Sequence, residues 1–400
     1  MTLRSGATFW LAKNGVLASY PLLKEDERCD VVIVGGGITG ALIAHELTAA
    51  GVDVVMIENG AVASASTAAS TAMLLSEPDT ELRELIARVG AQHAVRVYQL
   101  GREAIDAIEA LTVELDDACD FARHDTWYVA RELRKTVSLK REFWARQRAG
   151  LRVEWLGKGD IAKQSTLANP AAIVSHSNAA IDPVRFAHRL IARAAVRGMR
   201  VYERTEMTHF DDHGDHMVLH TLSGARIVAN RIVFATGYGS AQYLGREPGS
   251  LHSTYALCSE PVPALTGWPD KAMIWESSRP YFYLRTTHDQ RVMVGGGDIS
   301  SANSKRRDGK LAKKTEVLRK QFQLMFPAIA LEVAYAWAGT FGESEDGLPY
   351  IGLCSRCPNA YFALGYGGNG ITFGMIAARL ITDAHLSRRN IDAPIFAFDR

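Results

Sequence analysis

The sequence predicts an α/β protein in which a Rossmann-like nucleotide-binding domain is interleaved with a second domain of mostly antiparallel sheet. Three observations support this prediction. Residues 30–58 have the order strand, glycine-rich turn, helix and strand, and residues 361–382 contain a second glycine-rich turn between a strand and a helix. Residues 250–300 instead form short alternating runs (TYALCSEPV, AMIWES, YFYLRTT, RVMVGGG), which are typical of antiparallel strands.

The first segment reads DVVIVGGGITGALIAHELTAAGVDVVMIE and ends at Glu58. Gly35 permits the tight turn after the first strand, Gly37 lets backbone amides approach a pyrophosphate, and Gly40 lets the helix pack close to the sheet. The helix N-terminus carries about half a positive charge, which favours phosphate. Glu58 ends the second strand, where its carboxylate can accept the ribose hydroxyls of an adenosine. This order predicts a dinucleotide site.

Two later segments enlarge the predicted ligand. Residues 231–237 read RIVFATG, an apolar strand ending in small residues, so its backbone can lie beside a bound nucleotide. At residues 365–370 the sequence GYGGNG leads into a helix that begins near Ile371, and the N-terminus of this helix would point at the same ligand. NAD would leave the second turn without a task, so FAD, extended across the carboxyl ends of the strands, fits best.

Residues 60–71 (GAVASASTAAST) consist almost entirely of Ala, Ser and Thr, and no Lys or Arg occurs between Arg28 and Arg83. One interpretation is a flexible low-complexity linker. The preferred interpretation is a ligand contact, because small side chains let a large flat ligand lie against the backbone while hydroxyl groups bond its polar edges.

The remaining pattern predicts the domain organisation. Residues 1–29 are expected to form an irregular arm with Trp10 and Tyr20 as packing anchors. The nucleotide-binding domain is assigned to 30–85, 150–245 and 338–400, and the substrate domain to 86–149 and 246–337. Predicted helices cover 79–111 (one helix, or two joined near Gly90), 132–147, 183–197 with Asp182 as N-cap, and 304–325.

Composition excludes several classes of protein. Lys and Arg total 45 against 44 for Asp and Glu, so net charge does not favour nucleic acid or an anionic membrane as partner. No apolar run approaches the roughly 20 residues of a transmembrane helix, and the N-terminus lacks a secretory signal, so a cytoplasmic location is expected. The five cysteines suit a reducing compartment, and Cys354 and Cys357 are interpreted as incidental loop thiols.

Taken in order, these motifs resemble the FAD-dependent oxidoreductases of the D-amino-acid oxidase (DAO) superfamily, which includes glycine and sarcosine oxidases, D-amino-acid dehydrogenases and γ-glutamylputrescine oxidoreductases. The resemblance covers nearly the whole chain. It is found at 31–58, at 179–186 (AAIDPVRF), at 232–238 (IVFATGY), at 281–296 (YFYLRTTHDQRVMVGG), at 337–352 (WAGTFGESEDGLPYIG) and at 365–374 (GYGGNGITFG).

The resemblance implies a set of residues that contact FAD. They are Gly35, Gly36, Gly37, Ile38, Thr39 and Gly40 at the pyrophosphate; Glu58 and Asn59 at the ribose; Met207, Ala235, Thr236 and Gly237 near the adenine; and Ser64, Ser66, Thr67, Ala69, Gly339, Gly367, Gly368, Asn369, Gly370, Ile371 and Thr372 around the isoalloxazine.

Three departures from the sarcosine-oxidase pattern narrow what the resemblance implies. Those members tether the flavin through a cysteine on the strand near Ala338, and this chain has none there, which predicts non-covalent FAD. Thr372 stands where they hold a substrate carboxylate with a lysine, and residues 66–73 (STAASTAM) lack the arginine of that segment. A simple glycine or sarcosine substrate is therefore disfavoured, and amines or larger amino acids remain open.

The expected reaction is oxidation of a C–N bond of an amine or amino acid, by hydride transfer to flavin N5, to give an imine that hydrolyses. Strand alternation places Tyr281, Tyr283 and Arg285 on one face, where Arg285 could bind an anionic group between the tyrosines. An equally weighted alternative is a solvated face or an arginine stacked on aromatic rings. Tyr255 is a fourth catalytic candidate, and His252 and Asn369 are lesser ones.

Other interpretations stay open at this point. The same cofactor could serve C–O oxidation of a 2-hydroxy acid or a polyol phosphate, or the chain could be a flavin-binding subunit with little activity of its own. The electron acceptor could be O2, a quinone or a carrier protein. No metal site is expected, because the histidines show no ligand spacing and His209, His213 and His216 fall in a predicted solvated hairpin.

Overall fold

A computed structural model of the chain describes residues 3–240, 244, 249–278 and 281–400, which form two β-sheets and the helices packed on them. The strands are β1 (Arg4–Gly6), β2 (Glu27–Val34), β3 (Val54–Ile57), β4 (Met73–Leu74), β5 (Ala122–Val129), β6 (Val153–Gly157), β7 (Ala171–Ala180), β8 (Arg200–Tyr202), β9 (Met207–Asp212), β10 (Met217–Thr221), β11 (Arg226–Phe234), β12 (Ser250–Ser259), β13 (Met273–Glu276), β14 (Phe282–Thr286), β15 (Val292–Ile299), β16 (Val333–Glu343), β17 (Tyr350–Cys354) and β18 (Cys357–Leu364).

The helices lie between and around these strands. They are α1 (Phe9–Asn14), α2 (Ile38–Ala49), α3 (Ser66–Ala69), α4 (Leu82–Val89), α5 (Ala91–Glu114), α6 (Thr136–Arg148), α7 (Lys158–Gln164), α8 (Pro183–Val196), α9 (Ser304–Asp308), α10 (Leu311–Met325) and α11 (Gly370–His385).

The first sheet has eight strands and follows the order β17-β18-β11-β2-β3-β8, with the β9–β10 hairpin attached to β11. The pairs from β18 to β8 are parallel, and β2 lies at the centre with Ile33 between Val233 and Met56. Its apolar residues Val31–Val34 are buried on both faces of the strand. Val31 and Ile33 pack with α2, α8 and α11, and Val32 and Val34 pack in a second apolar cluster that contains Met207 and Met217 of the β9–β10 hairpin. This is the predicted Rossmann-like sheet.

Helix α2 follows β2 directly and packs against α8 and α11. A Cβ atom at Gly40 would lie 2.0 Å from the carbonyl oxygen of Gly35, so only glycine permits this close approach of helix and turn. The carboxyl ends of β2, β3 and β11 and the N-terminus of α2 therefore meet at one edge of the sheet.

The second sheet has ten strands in the order β1-β16-β12-β15-β14-β13-β5-β7-β4, with β6 paired to β7. All of its pairs are antiparallel except β13 with β5, which confirms the predicted mixed α/β fold with two sheets of different character. A separate apolar cluster forms between this sheet and α10, around Leu257, Leu284 and Phe322.

The interpretation of residues 1–29 as an irregular arm is wrong for two stretches. β1 pairs with β16 so that Arg4 lies opposite Gly339, and α1 buries Phe9 and Trp10. Trp10 is 1% exposed and its Nε1 donates to the carbonyl oxygen of Ser70 at 2.7 Å. The arm is therefore part of the core, because its aromatic residues fill space next to the 60–71 segment.

Some predicted boundaries also differ. Residues 304–325 form α9 and α10 with a break at Gly309 rather than one helix. Of the two alternatives predicted for residues 79–111, the structure has two helices joined at Gly90, which adopts a φ of +82°. β6 and β7 lie in the ten-stranded sheet rather than with the nucleotide-binding segments in which 150–245 was placed. The boundary between 245 and 246 lies outside the described residues, and the domain limits stay a prediction.

Candidate active site

A cavity of about 1120 Å³ runs between the two sheets, from the carboxyl ends of β2, β3 and β11 to the face of β12–β16. Pockets for drug-sized ligands typically measure about 300–1,000 Å³, so this cavity is large enough for a ligand above that size. Its wall contains residues from both glycine-rich turns and from the 60–71 segment, which places these separate motifs around one space.

The first glycine turn forms one end of the cavity. Gly35 adopts a φ of +114°, and Gly37, Ile38 and Thr39 lie at the wall where α2 begins. The amide of Ile38 donates to Thr67 Oγ1 at 2.9 Å, which joins the turn to the 60–71 segment. Because the wall here consists of backbone amides and a helix N-terminus, it suits an anionic pyrophosphate.

Glu58 is fixed at the end of β3 by backbone donors. Its Oε2 accepts from the amide of Gly36 at 2.8 Å, and its Oε1 accepts from the amide of Gly60 at 2.9 Å. Each carboxylate oxygen keeps a second lone pair for a ribose hydroxyl. Asn59 and Met207 also line this end, beside Ala235, Thr236 and Gly237 at the end of β11.

The 60–71 segment is ordered, so its interpretation as a flexible linker is wrong. It contains the single-turn helix α3, and the Nε1 of Trp337 donates to the carbonyl oxygen of Ala69 at 2.8 Å. Ser66, Thr67 and Ala69 line the cavity. The hydroxyl of Ser66 is buried without a hydrogen-bond partner among the described residues, which is the signature of a group that a ligand would satisfy.

The second glycine turn closes the cavity from the other side. Gly367, Gly368, Asn369, Gly370 and Ile371 line it where α11 begins. A neighbouring loop holds this turn in place. Asp79 Oδ2 accepts from the amide of Gly368 at 2.7 Å, and Asn369 Nδ2 donates to the carbonyl oxygen of Glu77 at 2.9 Å.

Four of the residues expected to contact FAD lie away from the cavity wall. They are Gly36, Gly40, Ser64 and Thr372. Thr372 Oγ1 donates to the carbonyl oxygen of Leu75 at 3.4 Å, and the amide of Gly36 is taken by Glu58. These positions shape the turns rather than the surface of the cavity.

The ten-stranded sheet supplies an aromatic wall. Tyr281 and Tyr283 lie here with Trp275, whose indole stacks on Tyr128 at a ring-centroid distance of 4.0 Å. The ring of Tyr283 lies over Gly295, where a Cβ atom would come within 2.1 Å of it. The glycines of RVMVGGG therefore make space for an aromatic side chain.

Two carboxylates act on this tyrosine. Burial raises the pKa of Tyr283, and the negative charges of Asp298 and Asp79 raise it further, so its hydroxyl stays protonated through the neutral range. Asp298 and Asp79 both line the cavity, Asp298 at the end of β15 and Asp79 beside the second glycine turn. The tyrosine can therefore act as a hydrogen-bond donor at this end of the site.

Arg285 does not line the cavity, contrary to the expectation that it faces a substrate with the tyrosines. It is buried, and its Nη1 donates to the carbonyl oxygens of Thr71 at 2.9 Å and Ala72 at 2.8 Å. Burial lowers the pKa of Arg285 to about 10. Residues 71–72 cover β14 at this point, so the side chain of Arg285 contacts their backbone instead of the cavity.

Tyr255 and His252 also lie outside the cavity wall. The hydroxyl of Tyr255 donates to the carbonyl oxygen of Arg307 at 3.2 Å, and the ring belongs to the core under the ten-stranded sheet. The neighbouring residue Thr254 faces the cavity instead, as strand alternation requires. His252 pairs with Ser250 Oγ at 2.9 Å.

The sequence reasoning missed Asp79, Thr254, Trp275 and Asp298. Three of them belong to predicted strands or lie directly after one. Thr254 is in TYALCSEPV, Trp275 is in AMIWES, and Asp298 follows VGGG. Strand periodicity alone does not show which face meets the ligand, since both faces of these strands carry aromatic residues. No local sequence signal marks Asp79. It lies at the site because its carboxylate binds the amide of Gly368, which is 289 residues later in the chain.

Two other groups of potential ligands lie outside the aromatic wall, although His209 of the second group lines the cavity. Cys354 and Cys357 are free thiols at the β17–β18 turn, and burial raises the pKa of Cys357, which disfavours its thiolate. His209, Asp211 and His220 approach one another across the β9–β10 hairpin with ligand atoms within 4.8 Å, and two of the three are exposed. Their rings and carboxylate pair with each other, as in a solvated hairpin.

No helix among the described residues is long and apolar enough to cross a bilayer.

Comparison with known proteins identifies the family. The family model for FAD dependent oxidoreductases (DAO) matches residues 30–384. The chain is 28% identical over 401 residues to the putative Rieske 2Fe-2S iron-sulfur protein YhfW of Bacillus subtilis (strain 168), covering 98% of this chain and 75% of that protein. It is 26% identical over 392 residues to the gamma-glutamylputrescine oxidoreductase of Escherichia coli (strain K12), covering 94% and 88%.

The fold agrees with this match. The crystal structure of glycine oxidase from Geobacillus kaustophilus superimposes with a TM-score of 0.79 at 21% identity, covering 94% of this chain and 99% of that one. The glycine turns, the orphaned Ser66 hydroxyl and the size of the cavity fit FAD. The chain belongs to the DAO family of FAD-dependent oxidoreductases.

Proposed function

We propose that the protein oxidises a C–N bond of an amine or amino acid. The observation that supports this most directly is the continuity of the cavity, which joins the nucleotide-binding turns to the aromatic wall of the ten-stranded sheet. Relatives named for amine chemistry, such as the gamma-glutamylputrescine oxidoreductase above, agree with it. Bound FAD would supply the two-electron acceptor for the hydride that leaves the carbon next to nitrogen, and the imine product would hydrolyse in water.

The residues of this chain would bind and orient the reactants. Trp275, Tyr281 and Tyr283 provide apolar surface that excludes water from the reacting carbon, and the protonated Tyr283 hydroxyl provides one directed donor. Residues 66–71 and the second glycine turn would hold the flat ring system from two sides. Such a site contributes to catalysis mainly by orienting the substrate against the flavin and by excluding water.

We propose that FAD is bound without a covalent link. Among the described residues at the cavity wall there is no cysteine, and the nearby position on β16 is Ala338. Acid precipitation should therefore release the yellow chromophore into the supernatant. Chromophore that stays with the precipitated protein would contradict this.

The reaction is tested by reducing the bound flavin without oxygen. Purified holoprotein is mixed anaerobically with amines, with amino acids and, as the comparison set, with 2-hydroxy acids and polyol phosphates. We expect the visible flavin band to bleach with members of the first two sets only. Bleaching by the comparison set alone would indicate C–O oxidation, and no bleaching by any of them would indicate a flavin-binding subunit.

The same experiment addresses the electron acceptor, for which O2, a quinone and a carrier protein are the candidates. Admitting oxygen to the bleached enzyme should restore the flavin band with release of hydrogen peroxide if O2 is the acceptor. A band that returns only after a quinone or an oxidised carrier is added identifies a dehydrogenase.

A further inference from the structure

One stretch of the cavity wall, residues 69–72, has all four of its carbonyl oxygens bound by side chains from distant parts of the chain. The first two oxygens accept from indoles, that of Ala69 from Trp337 Nε1 at 2.8 Å and that of Ser70 from Trp10 Nε1 at 2.7 Å. Both indoles are buried, and neither belongs to the described wall of the cavity. Backbone amides of a helix or a sheet usually satisfy such carbonyl groups, and here side chains do so instead.

Arg285 binds the other two oxygens. Its Nη1 donates to the carbonyl oxygens of Thr71 at 2.9 Å and Ala72 at 2.8 Å, and to that of Ile181 at 3.3 Å. The guanidinium carbon lies 5.6 Å from the centroid of the Trp10 ring, so these two donors also contact each other. Arg285 is buried and, like the two indoles, lies outside the described wall.

The charge of Arg285 is balanced within its own surroundings. The carboxylates of Asp182 and Asp120 act on it electrostatically, and Lys13 donates to both of them. The two cations therefore face two carboxylates. The effect of Arg285 on residues 69–72 is consequently carried by its hydrogen bonds to the carbonyl oxygens rather than by a net charge.

These bonds turn the carbonyl oxygens of 69–72 away from the cavity, because each oxygen points to a donor behind the wall. Ala72 adopts a φ of +54°, a conformation that is uncommon for a residue other than glycine, so the backbone is held in an unfavourable shape here. The same segment contributes Ser66, Thr67 and Thr71 to the wall. Their hydroxyl groups can donate hydrogen bonds, whereas a carbonyl oxygen can only accept them.

We propose that Arg285, Trp10 and Trp337 are positioning residues for the bound flavin. They keep unbonded carbonyl oxygens from facing the isoalloxazine, whose own carbonyl oxygens and ring nitrogens are acceptors. An oxygen turned towards that ring system would repel it, and more strongly once reduction has added negative charge. The three donors therefore favour both the binding of FAD and its reduction. This inference rests on the placement of the ring system against residues 66–71 proposed above, and it does not depend on the identity of the substrate.

The test removes one donor at a time and observes the cofactor without a substrate. Trp337→Phe and Trp10→Phe each keep an aromatic ring and lose the N–H group. We expect the Kd of oxidised FAD, from titration of the apoprotein, to rise about tenfold in each. The two-electron midpoint potential of the holoenzyme, measured against a reference dye, should fall by about 30 mV, which corresponds to a further tenfold loss of affinity for reduced over oxidised FAD.

Trp268→Phe is the matched control. This buried indole also donates to a carbonyl oxygen, that of Ala272 at 2.8 Å, but it lies in the core under the ten-stranded sheet. The control should lower the stability by a similar amount and change neither the Kd nor the potential. Equal changes in the control, or an unchanged Kd and potential in both Trp337→Phe and Trp10→Phe, would overturn the inference.

Arg285 separates geometry from charge. Arg285→Met, which loses two of the four carbonyl bonds, should change both quantities more than either indole variant does, and Arg285→Lys should recover part of the loss. A potential that shifts in Arg285→Met alone would assign the effect to charge and would also overturn the inference. Failure of every substrate class to bleach the flavin would contradict the proposed function and leave these values unaffected.

Discussion

Glu276 is a carboxylate buried at the end of β13, next to the cavity residue Trp275. It is 3% exposed, and Arg131 Nη1 lies 3.7 Å from its Oε2. Burial raises the pKa of Glu276 above its ordinary value of 4.5, and Arg131 offsets only part of that effect. The folded state therefore holds this proton more tightly than the unfolded state does.

The Glu276→Gln variant should consequently be more stable than the parent at neutral pH. Because the folded-state pKa is the higher one, ionisation of Glu276 opposes folding as pH rises from 4.5 through the folded-state pKa, and no such cost exists at lower pH. The stability gain should be absent near pH 4 and should reach a plateau at higher pH. Urea unfolding of FAD-saturated protein at a series of pH values measures it.

The matched control is Glu25→Gln, which changes an exposed glutamate and should leave stability unchanged throughout. A Glu276→Gln variant that is less stable than the parent at neutral pH would show that the carboxylate contributes net favourable contacts.

At the scale of elements, α8 has a cap that also anchors the N-terminal helix. The Oδ1 of Asp182 accepts from the amides of Val184 at 3.1 Å and Arg185 at 3.0 Å. Its Oδ2 accepts from Lys13 Nζ and Asn14 Nδ2, both at 2.9 Å. One buried carboxylate therefore satisfies the start of α8 and docks the end of α1.

Asp182→Ala should lose about 2–3 kcal/mol of unfolding free energy, since it removes a helix cap and also a buried partner of Lys13. Asp182→Asn should lose less, because its amide oxygen can still cap the helix. Asp160→Ala, at the exposed start of α7, provides the control and should lose about 0.5 kcal/mol. Denaturant unfolding gives these values, and limited proteolysis should cut near α1 faster in Asp182→Ala. A loss no larger than the control's would refute the dual role.

The capped helix also shows what could be predicted from the sequence. Asp182 before Pro183, the GxGxxG turn and the GYGGNG turn are local signals, and the elements they predict are present. The side of β14 that meets the cavity was predicted, since Tyr281 and Tyr283 line it. The position of Arg285 on that side was not predictable, because its guanidinium binds a carbonyl group 214 residues earlier in the chain. Contacts at such separation depend on how the two sheets pack, which periodicity does not encode.

At the scale of the whole molecule, a buried polar network joins the ten-stranded sheet to the second glycine turn. Arg146 of α6 is fully buried, and its Nε donates to Glu142 at 2.8 Å while its Nη1 donates to Glu77 at 3.3 Å. Glu77 also accepts from Asn178 Nδ2 of β7 at 3.1 Å, and its carbonyl oxygen accepts from Asn369 at 2.9 Å. The network therefore fixes the loop that carries Asp79 and Glu77 against the cofactor site.

This connection explains why the loop after β4 can hold the second glycine turn although it has little regular structure of its own. Glu142 Oε1 also accepts from the amide of Leu82 at 2.8 Å, so the same carboxylate caps α4. The loop after β4 is thus held to α6 by charges that satisfy one another, and such an arrangement is sensitive to the loss of a single partner.

Arg146→Met should therefore lose about 3–5 kcal/mol of unfolding free energy, because it removes the buried cation that Glu77 and Glu142 share and leaves Glu142 only the more distant Arg83 at 3.6 Å. It should also weaken FAD binding, since the loop that positions Gly368 and Asn369 is released. The double variant Arg146→Met/Glu142→Gln should recover part of the stability, because one uncompensated charge is removed with the arginine. Arg141→Met, on the exposed face of the same helix, is the matched control and should change neither quantity. Urea unfolding and FAD titration of the apoprotein measure both effects, and equal losses in Arg146→Met and Arg141→Met would show that the network does not hold the loop.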